Sequence, residues 1–510
     1  MPLPLSRVTV LCDAAAATGL GHFVRSSALA AELTAGGADV QLLLPADSLP
    51  SAVDRARRAG WEVVVGPWDA ADVVARTGAG GVAVVDSYRV DGPWLTALHR
   101  SLAAAGAHLA VIDDQADRPF SADLVLNQNV GAERFAYPGA ARVLAGPRYA
   151  LLRPQFPAHR DAALASAELL PDVPRTVLVL FGGTDAGGMA AVAAEAAVAA
   201  FPGAEVRAVL PGGPGTAPAG VTYLPPVDAI HEEMLAADLV VSAGGTTLWE
   251  LCCLARPAAV IAVAGNQQPA YDVLSASGAV LPAGREHVRD VPALAARLTS
   301  LVAAPGRLRE VARRAAEVTD GHGCGRVAAS LAGLASPVRV RPATEDDAVL
   351  LHTWRNDPVV RSLSRSTDPI PLDAHAAWLR ASLAAADRHL LVVETAGPRA
   401  EPVGTTRYDL LPGDDGSRTR WEVSITVAPE MRGRGLGSAT LRASDAWLAA
   451  TEPDAREIEA WVRSSNDGSR RLFERNGYRA IASDDPAMEC FLRPVGRGNT
   501  PPDQLRSGPR

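Results

Sequence analysis

Short apolar runs alternate with longer alanine-rich segments over the first two thirds of this chain. In the longer segments, such as residues 22–35, apolar side chains recur every three or four positions, which predicts helices. The alternation predicts an α/β fold made of two Rossmann-like halves, each with a parallel, doubly wound sheet. The short runs predict its buried strands, at residues 8–11, 40–44, 63–65, 82–85, 109–112, 176–181, 205–210, 239–242 and 259–263.

The pattern changes after residue 337. Helices predicted at residues 305–318 and 325–334 close the first part, and residues 335–337 form a very short linker. A unit that starts at residues 338–341 then places two helices before its further strands, which predicts an α+β domain around one mixed sheet. Those strands are predicted at residues 390–394, 402–409, 421–427, 458–462 and 488–492. The predicted domains are residues 1–160 and 161–335 for the two Rossmann-like halves, 338–494 for the α+β domain, and 495–510 for a disordered tail.

Composition narrows the classes of function. Of the 510 residues, 48% are hydrophobic and 21% are charged, which is typical of a soluble globular protein. The 49 basic and 57 acidic residues give a net charge of −8, so we expect no nucleic-acid or anionic-membrane binding. The sequence contains no lysine, which excludes a phosphate-loop lysine and Schiff-base catalysis. Five scattered cysteines without a CxxC pair favour a cytoplasmic protein without a zinc site, and we expect neither a signal peptide nor a membrane span.

Polar clusters follow several of the predicted strands. In a doubly wound sheet, ligands bind beyond the carboxyl ends of the strands, so these clusters are expected to line one cleft. Each cluster alone is a weak signal, because strand ends carry turn residues anyway, but five of them favour a ligand site. They are Asp13 with the glycine loop that leads to His22, and the segments at residues 86–88, 113–114, 182–185 and 242–247.

Three features of this cleft have two interpretations each. His22 is either a proton-transfer group, since imidazole titrates near neutral pH, or an ordinary residue at a helix start. Tyr88 is either a catalytic group or a packed aromatic ring. The run Gly244-Gly245-Thr246-Thr247 opens a helix whose N–H groups could hold a diphosphate, with Glu250 on the ribose hydroxyls. Alternatively, Thr247 and Glu250 form a capping box.

The first 335 residues or so also resemble a known family. The motifs that carry the resemblance are Asp13-x5-Gly19-Leu20-Gly21-His22-Phe23-Val24-Arg25, Val84-Val85-Asp86-Ser87-Tyr88, Asn127-Gln128-Asn129 and Gly265-Asn266-Gln267, with residues 112–118, 146–154, 181–185 and 244–250. Together they resemble the UDP-2,4-diacetamido-2,4,6-trideoxy-β-L-altropyranose hydrolases. One departure is Leu11, which stands where that family often has arginine and which bears on the identity of the sugar.

The resemblance implies a glycosyltransferase-B-like fold and a hydrolysis step in pseudaminic acid biosynthesis. Water would attack the anomeric carbon of the sugar, and UDP would leave without the help of a metal. His22 would transfer a proton, and Tyr88 and Asn266 would place water and sugar. The substrate-binding residues that the resemblance implies are Asp13, Gly19, Gly21, Gly244, Gly245, Thr246, Thr247, Glu250 and Gln267.

A second glycine loop lies in the α+β domain, after the strand at residues 421–427. Glycines let a backbone approach phosphate closely, and N–H groups at a helix start can bind it. This loop, Arg432-Gly433-Arg434-Gly435-Leu436-Gly437, and the run at residues 469–478 resemble the GNAT acetyltransferases. The resemblance implies acetyl-CoA as co-substrate, bound by Val427, Arg432, Gly433, Arg434, Gly435, Leu436, Gly437 and Asn466.

Residues for acetyl transfer follow from the same resemblance. In GNAT enzymes an amine attacks the thioester directly, so Glu422 is the candidate base, with a structural role as the alternative. Phe473 stands where many relatives have a tyrosine acid, which leaves the proton donor open. The segment Trp354-Arg355-Asn356 is shared with acetyltransferases of UDP-linked amino sugars and implies substrate positioning, with a helix-end role as the alternative.

Together the two resemblances predict a bifunctional cytoplasmic enzyme. Its acetyltransferase would N-acetylate the 4-amino group of a UDP-linked 4-amino-4,6-dideoxy sugar, and its hydrolase would then release UDP and the free diacetamido sugar. The expected partners are the UDP-linked amino sugar and acetyl-CoA. One alternative is a glycosyltransferase, in which a second substrate displaces UDP. The other is a non-catalytic nucleotide-sugar-binding module that regulates the acetyltransferase.

Overall fold

A computed structural model describes most of the chain, and contacts divide it into two compact units at the boundary between Ala335 and Ser336. Gly183 and Thr184 of one predicted cluster lie outside the described residues, as does the expected tail beyond Val495. The described residues are 5, 7–15, 19–182, 185, 188–210, 212–225, 229–285, 289–364, 367–396, 400–412, 419–452, 454–483 and 485–495.

The first unit begins with a seven-stranded sheet in which all neighbouring strands are parallel, in the order β3-β2-β1-β4-β5-β6-β7. Two hydrophobic clusters cover its faces, so the central strands are apolar on both sides. Val10 of β1 faces one cluster and Leu11 faces the other. The elements are β1 (Arg7–Cys12), α1 (Gly21–Ala35), β2 (Asp39–Leu44), α2 (Pro50–Arg58), β3 (Glu62–Val65), α3 (Ala70–Thr77), β4 (Val82–Asp86), α4 (Gly92–Ala104), β5 (His108–Ile112), β6 (Ala122–Asn127) and β7 (Ala140–Ala145).

A second parallel sheet of six strands completes this unit, in the order β10-β9-β8-β11-β12-β13. Its last helix, α13, returns to the first sheet, where Val327 and Leu331 join the cluster that contains Phe23 of α1. The elements are α5 (Gln155–Ala158), α6 (Arg160–Ala167), β8 (Thr176–Leu180), α7 (Ala190–Ala200), β9 (Glu205–Val209), β10 (Val221–Leu224), α8 (Ile230–Ala236), β11 (Leu239–Ala243), α9 (Thr247–Cys253), β12 (Ala258–Ala262), α10 (Gln268–Ser277), β13 (Leu281–Arg285), α11 (Val291–Val302), α12 (Arg307–Ala316) and α13 (Gly323–Leu334).

The second unit contains one mixed sheet of seven strands, in the order β14-β15-β16-β17-β18-β20-β19. Its neighbouring strands are antiparallel except β17 and β18, which run parallel. The elements are β14 (Val338–Pro342), α14 (Ala348–Arg355), α15 (Pro358–Leu363), α16 (Leu372–Ala384), β15 (Arg388–Thr395), β16 (Pro402–Leu411), β17 (Arg420–Val427), α17 (Leu436–Thr451), β18 (Glu457–Arg463), α18 (Asp467–Arg475), β19 (Arg479–Ile481) and β20 (Met488–Pro494).

The predicted succession of two parallel sheets and one mixed sheet is confirmed, but several elements are additional. The second unit has three helices before β15, not two, because the six-residue α15 is too short to produce a visible period. Strand β7 is mostly exposed and strand β10 is only half-buried, so neither has a continuous apolar run. In β13, Pro282 and Gly284 interrupt the pattern. Strands β6 and β19 were also not expected.

Candidate functional site

His22 and Asp86 form a buried pair at the carboxyl edge of the first sheet. Asp86 is the last residue of β4, and His22 is the second residue of α1, so both lie where strands of the sheet end. His22 Nδ1 is 2.6 Å from Asp86 Oδ1. Because an ionised carboxylate only accepts hydrogen bonds, His22 donates from Nδ1 to Asp86, which leaves Nε2 as the other nitrogen of the ring. This arrangement orients the imidazole and makes Nε2 its proton acceptor.

Arg25 holds this pair from the next turn of α1. Its guanidinium donates to both oxygens of Asp86, at 2.6 and 2.8 Å, and to Asp114 Oδ1 at 2.9 Å. Burial alone would raise the pKa of Asp86, but Arg25 and His22 hold that pKa well below its usual range. Burial also opposes ionisation of Asp114, and Arg25 again lowers its pKa. Both carboxylates are therefore ionised at neutral pH and act as fixed acceptors.

Tyr88 packs against the histidine. The two ring centroids are 4.5 Å apart with the rings nearly perpendicular, and the Tyr88 hydroxyl donates to Asp114 Oδ2 at 2.6 Å. Burial and the Asp114 carboxylate raise the pKa of Tyr88 above its ordinary value, so the phenol is neutral. Asn129 donates a further hydrogen bond to Asp114 at 2.8 Å. The side chains around His22 thus form one hydrogen-bonded network.

Asp13 organises the loop after β4. Its buried carboxylate accepts hydrogen bonds from Ser87 Oγ at 3.0 Å and from the Tyr88 N–H at 3.2 Å. Its other oxygen lies 3.0 Å from Arg89 Nε. Asp13 therefore helps to place Tyr88, and its expected contact with substrate stays a prediction. Leu11, where the resemblance favours arginine, is fully buried in the core.

The predicted glycine segments of the two sheets approach each other. A Cβ atom added to Gly21 would lie 3.9 Å from Thr246 Oγ1, so the start of α1 is adjacent to the loop after β11. Gln267 supports that loop, because its Oε1 accepts the N–H groups of Gly244 at 3.1 Å and Val263 at 3.0 Å. Gly19 has a φ of +73°, a conformation that favours glycine. The start of α1, which carries His22, therefore lies beside Thr246, and the roles of these residues in substrate binding stay predictions.

Glu250 does not cap α9. The helix begins at Thr247, and no described side chain makes a capping hydrogen bond at its start, so the capping-box interpretation is wrong. Glu250 is buried and instead accepts from Arg153 Nη2 at 2.9 Å. Burial raises the pKa of Glu250, and Arg153 opposes that shift. Asn266 is exposed on a short 3-10 turn near Gln267.

The second candidate site lies where β17 and β18 diverge. The two strands are in register only from Arg420 to Glu422 of β17 among the described residues, although β17 continues to Val427. Beyond Glu422 the two backbones are no longer paired. The glycine loop follows β17 and leads into α17, a helix of 16 residues. The first N–H groups of such a helix have no intrahelical acceptor and carry its positive dipole end.

The conformation of the loop requires glycine at two positions. Gly433 has a φ of +76° and Gly435, which precedes the first residue of α17, has a φ of +75°. A Cβ atom at either position would meet no other heavy atom within 4 Å, so the loop backbone is open. Gly437 lies inside the helix, where an added Cβ would make only ordinary contact with Leu472, at 3.5 Å. Leu436 is half-buried and Arg434 is exposed.

Other residues predicted for this site have structural partners. Arg432 donates to Asp357 Oδ1 at 2.8 Å, which ties the loop to the start of α15. Asn466 accepts the Ser469 N–H at 3.0 Å and so caps α18.

The segment at the end of α14 is also used structurally. Trp354 is only 2% exposed and packs in the core, whereas Arg355 is half-buried at the helix end. Asn356 Oδ1 accepts the Ile370 N–H at 2.9 Å. The substrate roles of these three residues stay predictions, and a role for Trp354 would be indirect because its ring is buried.

Glu422 is half-buried and lies in register with Asp409 on β16 and with Glu459 on β18. Its neighbours Trp421 and Val423 point into the core, so Glu422 lies on the opposite face of the sheet. Phe473 is buried against Phe491. Tyr478 is buried as well, and its hydroxyl donates to Asp445 at 3.0 Å. Phe473 has no acidic proton and the hydroxyl of Tyr478 is buried, so neither residue is an exposed proton donor.

Arg25, Asp86, Asp114 and Asn129 were not predicted as site residues. All four lie inside motifs quoted for the resemblance, but nothing in the spacing indicates that they contact one another. Arg25 and Asp114 are 89 positions apart. The available signal was a set of polar residues at the carboxyl ends of neighbouring strands.

Comparison with known proteins identifies the domain in the second unit. Residues 338–479 match the family model described as "Acetyltransferase (GNAT) domain". The chain therefore carries a GNAT acetyltransferase domain at this position. Curated proteins give no match to the chain.

Several solved structures are similar to about a third of the chain. Spermidine N-acetyltransferase from Vibrio cholerae, in complex with CoA and spermine, is 15% identical, with a TM-score of 0.28 over 31% of this chain and 96% of that one. An aminoglycoside acetyltransferase in complex with coenzyme A is 20% identical, with a TM-score of 0.27 over 31% and 94%. An acetyltransferase from Thermus thermophilus is 22% identical, with a TM-score of 0.27 over 31% and 97%.

Two further properties concern the described residues. None of the helices formed by these residues has the length and apolar character needed to cross a membrane. Within the same part of the chain, no three or more His, Cys, Asp or Glu side chains are grouped so that they could hold a metal ion.

Proposed function

We propose that the chain is a bifunctional nucleotide-sugar enzyme of pseudaminic-type nonulosonic acid biosynthesis. Its GNAT domain N-acetylates a UDP-linked 4-amino-4,6-dideoxy sugar, and its first unit hydrolyses the resulting UDP-linked diacetamido-trideoxy sugar. The observation that carries the hydrolase assignment is the buried His22–Asp86 pair, 2.6 Å apart, beside the glycine segments of both sheets. The motif resemblance of the first 335 residues supports the same assignment and a glycosyltransferase-B-like arrangement of the two sheets.

The geometry around His22 suits proton transfer from water. As the water oxygen bonds to the anomeric carbon, the bond from that carbon to the UDP oxygen breaks, and UDP leaves with the electron pair. Nε2 of His22 accepts the proton that the attacking water loses, while Asp86 keeps the ring in position through Nδ1. Tyr88, which packs on the ring, limits its rotation.

The second sheet supplies the groups proposed for the nucleotide. Gly245 has no heavy atom within 4 Å of an added Cβ, so a ligand can approach its backbone. Gln267 holds the same loop in place through its bond with the Gly244 N–H. Glu250 is assigned to the ribose hydroxyls, with Arg153 fixing one of its oxygens. Asn266 is exposed and is assigned to the sugar.

Acetyl transfer is assigned to the gap between β17 and β18. The open loop at residues 432–437 and the N-terminus of α17 fit the diphosphate of acetyl-CoA, which supplies the thioester that the substrate amine attacks. Glu422 is assigned as the base that takes the amine proton, through water. Backbone N–H groups of β17 past Glu422 are the candidates for stabilising the oxyanion.

Incubation of the protein with the UDP-linked diacetamido sugar and no acceptor tests the hydrolase. Chromatography should detect UDP, and NMR should identify the free sugar. UDP release only after a second substrate is added would identify a glycosyltransferase instead. With acetyl-CoA and the UDP-linked 4-amino precursor, mass spectrometry should detect the acetylated product.

The two activities should separate at the boundary between the units. Each unit has its own hydrophobic clusters, so each can bury its own core. Expressed alone, residues 1–335 should release UDP and residues 336–510 should transfer acetyl groups, as measured by the same two assays. Two folded fragments that are inactive apart but active when mixed would contradict separate sites.

Asp86→Asn should lower the rate of UDP release by about 10- to 100-fold, since it no longer fixes the His22 tautomer. The amide can also turn its NH2 group towards Nδ1, which favours the other tautomer. The control is Asp123→Asn, because Asp123 lies near His99 and His108 on the same sheet but at the start of β6. Equal activities for the two variants would contradict the orienting role of Asp86.

A further inference from the structure

A cleft of about 470 Å³ opens beyond the carboxyl ends of β2, β3 and β4. This volume lies within the range of about 300–1,000 Å³ that is usual for small-ligand sites. No residue of the sequence predictions lines it. Apolar rings form most of its wall, and one ion pair lies among them. The residues that matter are Pro45, Pro67, Trp68 and Trp94, with Asp47 and Arg89.

The two tryptophans are held in place by the helices beside them. Trp68 directly precedes Asp69, whose carboxylate caps α3 by accepting the N–H groups of Ala71 and Asp72. Trp94 lies in the first turn of α4, where its N–H donates to the capping Asp91 at 2.8 Å. Both indole rings also pack on the hydrophobic cluster under these helices. The aromatic wall is therefore preformed, which lowers the entropic cost of binding.

Arg89 connects the cleft with the proposed catalytic site. Its Nη2 donates to Asp47 Oδ2 at 2.8 Å, and its Nε is 3.0 Å from Asp13 Oδ1. Asp13 in turn accepts the N–H of Tyr88, whose ring packs on His22. The Arg89 guanidinium thus lines the cleft, and a series of contacts through Asp13 and Tyr88 connects it with His22.

The charge and shape of the cleft select the class of ligand. Asp47 and Arg89 neutralise each other, so the cleft has no excess positive charge for a phosphate. Aromatic faces suit the C–H faces of a sugar ring, and a carboxylate–guanidinium pair offers an acceptor and donors to polar substituents. We propose that this cleft binds the pyranose ring of an acylated amino sugar, with Trp68 and Trp94 on the ring and Arg89 and Asp47 on its polar groups.

The proposal rests on the proposed hydrolase function, and direct binding tests it separately. The probe is the free 2,4-diacetamido-2,4,6-trideoxy sugar, titrated into the full chain by calorimetry, with UDP titrated in parallel. Trp94→Ala and Trp68→Ala should each weaken sugar binding about tenfold and leave UDP binding unchanged. Trp94→Phe should retain most of the affinity, because it keeps an aromatic face.

Trp61→Ala is the matched control. Trp61 is also half-buried, but it precedes β3 and so lies at the amino edge of the sheet, where its Nε1 donates to Thr34. Wild-type sugar affinity in this variant, with losses at Trp68 and Trp94, supports the proposal. Equal affinities in all variants, or no sugar binding by the wild type, would overturn it. If the alanine variants do not fold, Trp94→Leu and Trp68→Leu provide the same comparison, because leucine removes the aromatic face and keeps apolar volume.

The binding assay also separates this proposal from the hydrolase assignment. A wild-type protein that binds the sugar at the tryptophans but never releases UDP would refute the hydrolase and leave the cleft as a sugar site. Release of UDP by a protein whose tryptophan variants bind the sugar normally would refute the cleft and leave the hydrolase.

Discussion

Replacing His22 with alanine should lower the rate of UDP release by about 10²–10⁴-fold, the usual effect of removing a positioned acid–base group. The physical reason is that, in the proposed mechanism, Nε2 is the acceptor for the proton of the attacking water, and alanine removes this acceptor. The GNAT domain has its own site, so acetyl transfer by the same variant should continue. Both rates can be measured on one preparation, with UDP and acetylated product separated by chromatography.

His99→Ala is the control for this variant. His99 also lies near an aspartate, with its Nε2 3.4 Å from Asp123, but this pair joins α4 to the start of β6, at the amino edge of the sheet. We expect its UDP release to match that of the wild type. Near-normal UDP release by His22→Ala, with an unchanged melting temperature, would contradict the assignment of proton transfer to this residue.

The sequence predicted local features of the fold well, because each depends on a short segment. The apolar runs of β1 and β8 are buried on both faces, as parallel strands require. The alternation in β17 places Trp421 and Val423 in the core and Glu422 on the other face. The glycine loop that was predicted between the strand at residues 421–427 and the following helix also depends on one short segment, and it lies between β17 and α17.

The candidate site was harder to predict because its contacts join distant segments. Arg25 and Asp86 are 61 positions apart, and Glu250 pairs with an arginine 97 positions away. Spacing within a motif carries no information about such pairs. Burial is a second reason. Trp354 was predicted to bind substrate, yet its ring is buried in the core, because the sheet and α16 enclose it.

The cleft beside Arg89 was also not predictable from sequence, because it joins segments that are distant in the chain. Trp68 lies in the loop after β3 and Trp94 in the first turn of α4, and neither belongs to a segment with a recognisable motif. They become neighbours only because β3 and β4 end at the same edge of a parallel sheet. Residues at such edges are therefore better assigned from sheet order than from sequence motifs alone.

Gly435→Val should abolish acetyl-CoA binding while hydrolysis of an already acetylated substrate continues. Gly435 has a φ of +75°, which costs an L residue about 1–2 kcal/mol and a β-branched one more. The space around an added Cβ is empty, so the substitution acts through the backbone conformation and through the volume that the diphosphate needs. Each lost N–H contact to a charged group removes about 1.5–3 kcal/mol, so two contacts reduce affinity by at least about 100-fold.

Gly437→Ala separates the effect of backbone strain from the effect of lost space for the diphosphate. Gly437 is helical, and its added Cβ would meet Leu472 at an ordinary distance, so alanine there should not strain the loop. If the diphosphate approaches the backbone of the first turn of α17, this variant should also lose affinity for acetyl-CoA while its melting temperature is kept. Calorimetry is the measurement for both variants, and the hydrolase rate reports on the rest of the chain. Unchanged acetyl-CoA affinity in Gly435→Val would place the diphosphate elsewhere, because a bound phosphate cannot share the space that the valine side chain would occupy.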